Sequence, residues 1–191
     1  MTTTRHVIVD NETLSTGPDA VLLSIGAVAV EVEQGRAIVL GHWYRRLLHF
    51  PAAVRQPGRA VTNDTLRWWF NQDAAAFGEA FMAPGRIALP LAMYSLSRWL
   101  ELNPYPIWGN GSDFDNAQLQ DAFNQLGLRW PYHRNRCLRS LKGLALDMYP
   151  DTQLPAFPAN KIKHHALHDA EHEADVLATL INVLGAKKEA A

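Results

Sequence analysis

HVIVDNE at residues 6–12, TLSTGPDA at 13–20 and LLSIGAVAVEV at 22–32 form the stretch whose reading decides the fold. The outer two are rich in β-branched residues, which suit a pleated, buried surface. The middle one carries Ser15-Thr16-Gly17-Pro18-Asp19, a turn-rich connection. A third strand-like run covers residues 38–49, after the short polar break Glu33-Gln34-Gly35. Connections this short predict antiparallel hairpins. The chain therefore opens as a three-stranded meander.

Helical signals follow. Residues 62–71 (TNDTLRWWFN) offer Thr62 as N-cap and apolar positions at Leu66, Trp69 and Phe70. Pro90 suits the first turn of a second helix, with Leu91, Tyr94, Leu96, Trp99 and Leu100 as its stripe. Pro106-Ile107-Trp108-Gly109 reads as a buried strand. Residues 114–126 have helical spacing and end at Gly127; residues 138–148 form a further helix. The last helix starts near Ala166 or Asp169, runs to Leu184 and is closed by Gly185. Segments 50–61, 73–88 and 150–163 look irregular, the last two long enough to be lids or substrate loops. The class is α/β: a mixed sheet with three antiparallel opening strands, at least one crossover and flanking helices.

Composition bounds the partners. The 191 residues are 48% hydrophobic and 19% charged, with a net charge of −1. That predicts one domain over residues 1–186, with 187–191 a frayed tail. No global charge draws the chain to nucleic acid or membrane, so any such partner must meet a local patch. The single cysteine, Cys137, excludes an intramolecular disulfide and a cysteine-based zinc site. The start MTTTRHVIVD lacks the features of a secretory signal, and no apolar run approaches a membrane span. A soluble cytoplasmic protein is expected.

Three groups could do chemistry. Asp10 and Glu12, two apart on a strand, point to one face. Like charges so close call for a cation, a shared proton, or solvation at a strand end. Asn11 points the other way and is not needed for this. In Trp108-Gly109-Asn110-Gly111-Ser112-Asp113-Phe114-Asp115, a strand enters a glycine-rich turn and then a helix. Asp115 in the first helical turn can bind metal or complete a capping box with Ser112, and Asp113 competes with it. The third group is His164-His165-Ala166-Leu167-His168-Asp169-Ala170-Glu171-His172. The i,i+4 pairs His164/His168 and His168/His172 could clamp zinc. His168-Asp169 is also an HD dyad, as in metal-dependent HD phosphohydrolases. Alternatively His164 is a general base before the helix and Asp169 a metal carboxylate, or the segment is a solvated helix start.

Taken together, the three groups resemble the DEDDh branch of the DnaQ-like 3′–5′ exonucleases, within the ribonuclease H-like fold. Asp10-x-Glu12-Thr13 looks like the first exonuclease motif, Phe114-Asp115 the second and His164-x-Ala166-x-x-Asp169-Ala170 the third. The likeness is to the phage-type exonuclease A, exonuclease VIII and mycobacterial exoribonuclease-like group. It is carried by DNETLSTGPDAVLLSIGAV (10–28), DTLRWWFNQ (64–72), WGNGSDFDNAQL (108–119), NRCLRSLK (135–142) and HHALHDAEHEA (164–174). The DEDDy branch places tyrosine four residues before the last aspartate; here that residue is His165.

The resemblance implies two divalent ions, Mg²⁺ or Mn²⁺, held by Asp10, Glu12, Asp115 and Asp169, with His164 as base. Two ions about 4 Å apart suit in-line phosphodiester hydrolysis. It implies release of nucleoside 5′-monophosphates from single-stranded 3′ ends, DNA before RNA on the phage-type likeness, in a bacterial or phage-infected cell. Relatives include oligomers, so a homo-oligomer is allowed. Thr13 and Leu14 would contact the terminal nucleotide, alongside Asn110. Local grip would come from Arg136 and Lys163 within a basic set of Arg129, His133, Arg134, Arg139, Lys142 and Lys161. Trp68, Trp69, Phe114 and Tyr132 could stack on bases, with core packing the alternative for Trp69 and Phe114 and also for Leu14.

Overall fold

The computed structural model describes residues 3–186. The expected tail at 187–191 lies outside them. β1 (Thr4–Thr13), β2 (Leu22–Glu33) and β3 (Arg36–Leu47) form the predicted antiparallel meander. Gln34 and Gly35 both have positive φ, 48° and 76°. That is the conformation a two-residue hairpin needs to match strand twist.

β5 (Ile107–Gly109) pairs in parallel with β1, and β6 (Asn135–Cys137) in parallel with β5. β4 (Arg86–Ile87) adds in parallel to β3. The six-stranded order is β4-β3-β2-β1-β5-β6, which makes β1 the strand that joins the antiparallel meander to parallel β5 and β6. The helices are α1 (Ala52–Arg55), α2 (Asn63–Phe70), α3 (Ala74–Phe77), α4 (Leu89–Leu102), α5 (Ala117–Gln125), α6 (Leu138–Met148) and α7 (Ala166–Ala186). π-helical turns at Gly78–Met82 and Ser112–Asn116 extend α3 and precede α5.

Alternation along β1 feeds two cores. Val7 and Val9 pack with Ile107 against Ala92, Met93 and Leu96 of α4 and Leu119 and Phe123 of α5. Ile8 packs with Val28 and Val30 against Leu138 of α6 and Ala170, Ala174 and Leu177 of α7. Successive strand residues face opposite ways, so Asp10 and Glu12 continue the α7 face, and Asn11 continues the α4/α5 face.

Some expectations need correction. The segments read as irregular at 50–61 and 73–88 hold α1, α3, a π turn and β4, all too short to show a period in sequence. Gln56 fixes the first of them by bonding both the N–H and the carbonyl of Leu22. β6 was likewise too short to read. Segment 150–163 holds no helix or strand, as expected. α7 passes through Gly185 rather than stopping before it. Thr62 occupies the N-cap of α2, but its hydroxyl bonds the Thr65 hydroxyl at 2.8 Å instead of a helix N–H. No helix among the described residues is long and apolar enough to cross a membrane.

Candidate active site

The site starts where β1 turns polar. Glu12 is buried, and Asp10 Oδ2 is buried without a hydrogen-bond partner. β1 runs deep into the sheet, so these carboxylates are held by backbone pairing to Gly26 and Ser24 of β2. An orphaned carboxylate oxygen in such a place calls for a proton or a cation.

The second carboxylate arrives from the turn after β5. A Cβ on Gly109 would lie 2.4 Å from Asn116 Oδ1 and 2.9 Å from Asp115 Cβ, so only glycine lets the strand end press on this turn. Gly111, at φ 134°, turns the chain. No side chain caps the Ser112–Asn116 turn, which removes the capping-box reading. Asp115 is buried and Asp113 exposed, which separates the two competing acids. Asn11 N–H donates to Asp115 Oδ1 at 3.2 Å, and its side-chain amide donates to the Asp115 carbonyl at 3.0 Å. Asn11, which the strand reading set aside, is thus the clamp that ties the second motif to the first.

The third group folds against the sheet opposite Asp10. A Cβ on Gly26 would lie 2.3 Å from the Ala166 carbonyl carbon and oxygen. Glycine there, and a buried alanine at 166, let the first turn of α7 rest on β2. His164 takes a left-handed conformation at φ 60°, rare outside glycine and strained. Its N–H donates to Asp169 Oδ2 at 2.8 Å. The Trp68 ring meets His164 edge-on with centroids 4.8 Å apart. Single ligand atoms of Glu12, His164 and Asp169 all lie within 4.8 Å of one another, the one such group among the described residues.

The neighbouring histidines are taken up elsewhere. His165 is stacked between Tyr44 and His168, with centroids 4.4 and 4.0 Å away. His168 Nδ1 accepts from the Ile162 N–H at 3.1 Å. This fixes the register at His164, and the zinc pairs fail because His168 is committed to the backbone. The six-stranded sheet also removes the HD phosphohydrolase reading, whose domains are all-helical.

Electrostatics follow from crowding. Burial pushes Asp10 well above the usual carboxylate range, with Glu12 and Asp115 adding to it. Burial raises Glu12 likewise, then Asp169 and Asp115. Burial raises Asp115 to about 7, against the Asn11 N–H. Asp169 rises to about 6 for the same reason, opposed by the His164 N–H and by Lys163. His164 is pushed down by burial and then by Lys163, which keeps its ring neutral at pH 7.

A fifth acid was missed. Glu173 of α7 is buried, and burial together with Asp115 and Asp169 raises its pKa well above normal. Its signal was present in the sequence as the i,i+4 spacing from Asp169.

A cavity of about 760 Å³ opens over this cluster. It is lined by Asp10, Asn11, Glu12, Asp169 and Glu173, and by Thr13, Trp68, Asn110, Phe114, Lys163 and His164 among the expected residues. Asp115 lies behind the wall. Leu14 does not line it; it is packed with Val21, Leu23 and Trp69, so its core alternative holds. Trp69 is buried and donates its indole N–H to the Thr13 carbonyl at 2.8 Å. Arg136 is exposed on β6, bonded to the carbonyls of His133 and Asn135, and does not reach the cavity. The basic set is dispersed: Arg134 caps carbonyls at the end of α4, Lys161 pairs with Glu171, and of the set only Lys142 and Lys163 line the cavity. Tyr132 lines a separate hollow with Gln120 and Arg129.

A family model described as the Rv2179c-like 3′–5′ exoribonuclease domain matches residues 5–181, nearly the whole chain. The chain belongs to the Rv2179c-like family. No curated protein matches its sequence. Among solved structures it is similar to cell-death related nuclease 4 (CRN-4), with a TM-score of 0.61 at 13% identity over 93% of this chain. It covers 64% of that protein, so it spans less than two thirds of that relative's length. It is also similar to the nuclease domain of 3′hExo, a DEDDh family member bound to rAMP (TM-score 0.58, 12% identity, 93% of this chain and 91% of that one). A third is E. coli exonuclease I in complex with a dT13 oligonucleotide carrying a 5cy label (0.60, 11%, 98% and 42%). At such identities the structures speak for the fold, which is that of the ribonuclease H-like DEDDh exonucleases.

The family is described as one of 3′–5′ exoribonuclease domains and the fold is that of DEDDh nucleases, a class that implies divalent metal ions. The residues present suit them: a hard cation prefers carboxylate oxygens, and Asp10 Oδ2 and Glu173 Oε2 are buried without partners.

Proposed function

We propose that the chain hydrolyses phosphodiester bonds one nucleotide at a time from the 3′ end of single-stranded nucleic acid, releasing nucleoside 5′-monophosphates. The observation that carries this is the convergence of Asp10, Glu12, Asp115 and Asp169 beside a neutral, conformationally fixed His164. Asp10, Glu12, Asp115 and Asp169 would hold two divalent ions, Mg²⁺ or Mn²⁺. When bound, such ions polarise the phosphate and lower the pKa of water.

The chain's own residues do the rest. Asp169 accepts the His164 N–H and holds the backbone before α7, so the imidazole stays at the cavity edge. His164 takes the proton of the attacking water on a free ring nitrogen, which its lowered pKa leaves unprotonated. Trp68, half exposed beside His164, offers a face to the terminal base. Thr13 and Asn110 line the same space, and Lys142 and Lys163 meet phosphates. We place the enzyme in the cytoplasm, and sedimentation velocity reads whether it forms a homo-oligomer.

The polymer has two candidates. The DNA preference comes from the phage-type likeness alone, while the family description names an exoribonuclease. Matched 5′-labelled DNA and RNA single strands, incubated with Mg²⁺ or Mn²⁺, decide between them by relative rate, since contacts to the 2′-hydroxyl separate the two. A shortening ladder that both EDTA and Asp10→Ala leave intact would refute the metal-dependent reading. Tight binding of single strands in EDTA with no turnover in either metal would show a binding module instead.

A further inference from the structure

We propose that Glu173 is a fifth carboxylate of the metal centre, serving a cation, or a water on that cation, beside Asp10 and Asp169. This rests on the reading above that divalent ions bind here. Glu173 follows Asp169 by one helical turn, so the two side chains share a face of α7. It is 7% exposed and lines the same cavity as Asp10, Asp169 and His172. Its Oε2 is buried with no hydrogen-bond partner, as is Asp10 Oδ2.

What surrounds Glu173 does not satisfy it. Burial, and then Asp115 and Asp169, push its carboxyl up, against Asn110 and Lys142. Its Oε2 is left without a partner in the wall of the cavity. Two orphaned carboxylate oxygens, one from β1 and one from α7, belong to residues that line one cavity, and a hard cation or its water would satisfy them. Packing alone gives no reason for an acid here. A glutamine of the same shape would fill the space without adding a like charge to the cluster. The opposing account is a protonated Glu173 that only packs, and it predicts unchanged ion affinity.

The test is calorimetric titration of the chain with Mn²⁺, for the unmodified protein, Glu173→Gln and Asp10→Asn. Loss of an outer partner of a metal site typically weakens binding by about 10–100-fold, and that is expected for Glu173→Gln. Its melting temperature in EDTA should rise, since a carboxyl that resists burial is gone. Equal Mn²⁺ affinity in Glu173→Gln, with Asp10→Asn impaired, overturns the role of Glu173 and leaves the metal site standing. No Mn²⁺ binding by the unmodified protein overturns both. Circular dichroism checks that Glu173→Gln is folded. If it is not, Glu173→Asp carries the test: its shorter arm should also weaken Mn²⁺ binding, and unchanged affinity overturns the proposal.

Discussion

The apolar run in the first half of β1, Val7 to Val9, and its second half, Asp10 to Thr13, share one strand and one partner in β2, and both are largely withdrawn from water. Their energetics are opposite. In the first half each buried side chain stabilises the fold, by about 1.5–3 kcal/mol for a Val or Ile. In the second half the same alternation continues with carboxylates, and burial disfavours their charged forms. The apolar half lies between β2 and β5; past Ile8 the parallel ladder ends and Asn11 bonds Asp115 instead. Stability is thus concentrated below residue 10 and chemistry above it.

The sharpest break is Asp10→Asn. Activity on a single-stranded oligonucleotide should fall to background, while the melting temperature in EDTA holds or rises because one crowded carboxylate is gone. Next is His164→Ala, where loss of a general base lowers kcat by about 10²–10⁴-fold. Steady-state rates on one labelled strand measure both. The mirror experiment is Ile8→Ala, one residue pair away from Asp10 on the same face. It should lose about 2–5 kcal/mol in urea unfolding, with kcat per folded molecule unchanged at low temperature. A variant that failed both ways at either position would erase the distinction between the two halves.

Gly26→Ala joins the halves, because Gly26 pairs with Asp10 and carries the first turn of α7. The added methyl meets backbone rather than a flexible side chain, so α7 must move. Overpacking of this kind costs about 1–3 kcal/mol. The shift also carries His164 and Asp169 away from Asp10 and Glu12, and a misplacement near 1 Å can cost about 10²-fold in rate. Urea unfolding and kcat on the same preparation should both fall, unlike in Ile8→Ala.

Much of this was legible in the residues. The meander and the long helices carry periodicity over many positions, β5 stands out as a brief apolar run before a glycine-rich turn, and the paired acids Asp10 and Glu12 follow from strand geometry. What stayed hidden depends on contacts between distant segments. Asn11 looks idle on its strand because its partner, Asp115, is 104 residues away. Arg136 sits in a basic-looking run, yet β6 turns it outward; nothing in the local charge pattern encodes that direction. Leu14 follows the motif so closely that only the packing of Val21, Leu23 and Trp69 shows it to be core. Gly26 reads as a plain strand glycine until Ala166 is seen pressed against it.

The smallest effect is the most diagnostic of crowding, and it is read in EDTA. Asp169 titrates at about 6 and Asp115 at about 7, and Asp10, Glu12 and Glu173 are raised well above normal. The folded state therefore holds protons that the unfolded chain releases near pH 4, and stability falls as pH rises through the folded values. Histidines act the other way. His6 is lowered to about 4, and His49, His164, His165 and His172 are lowered too, all first by burial. They add stability as pH rises toward about 6.5, where unfolded imidazole loses its proton. The two trends offset each other below about 6.5; above it the carboxylates are opposed by the Cys137 thiol, which burial raises but bonds with Ser140 and Ser112 hold down overall. Scanning calorimetry in EDTA should show the melting temperature falling between about pH 6.5 and 8. Mn²⁺ should flatten that fall, because the cation takes the place of the bound protons. Asp10→Asn should make it shallower even without metal. A flat profile in EDTA would mean that the acids of β1 and α7 do not share one desolvated space, and the contrast between the halves of β1 would go with it.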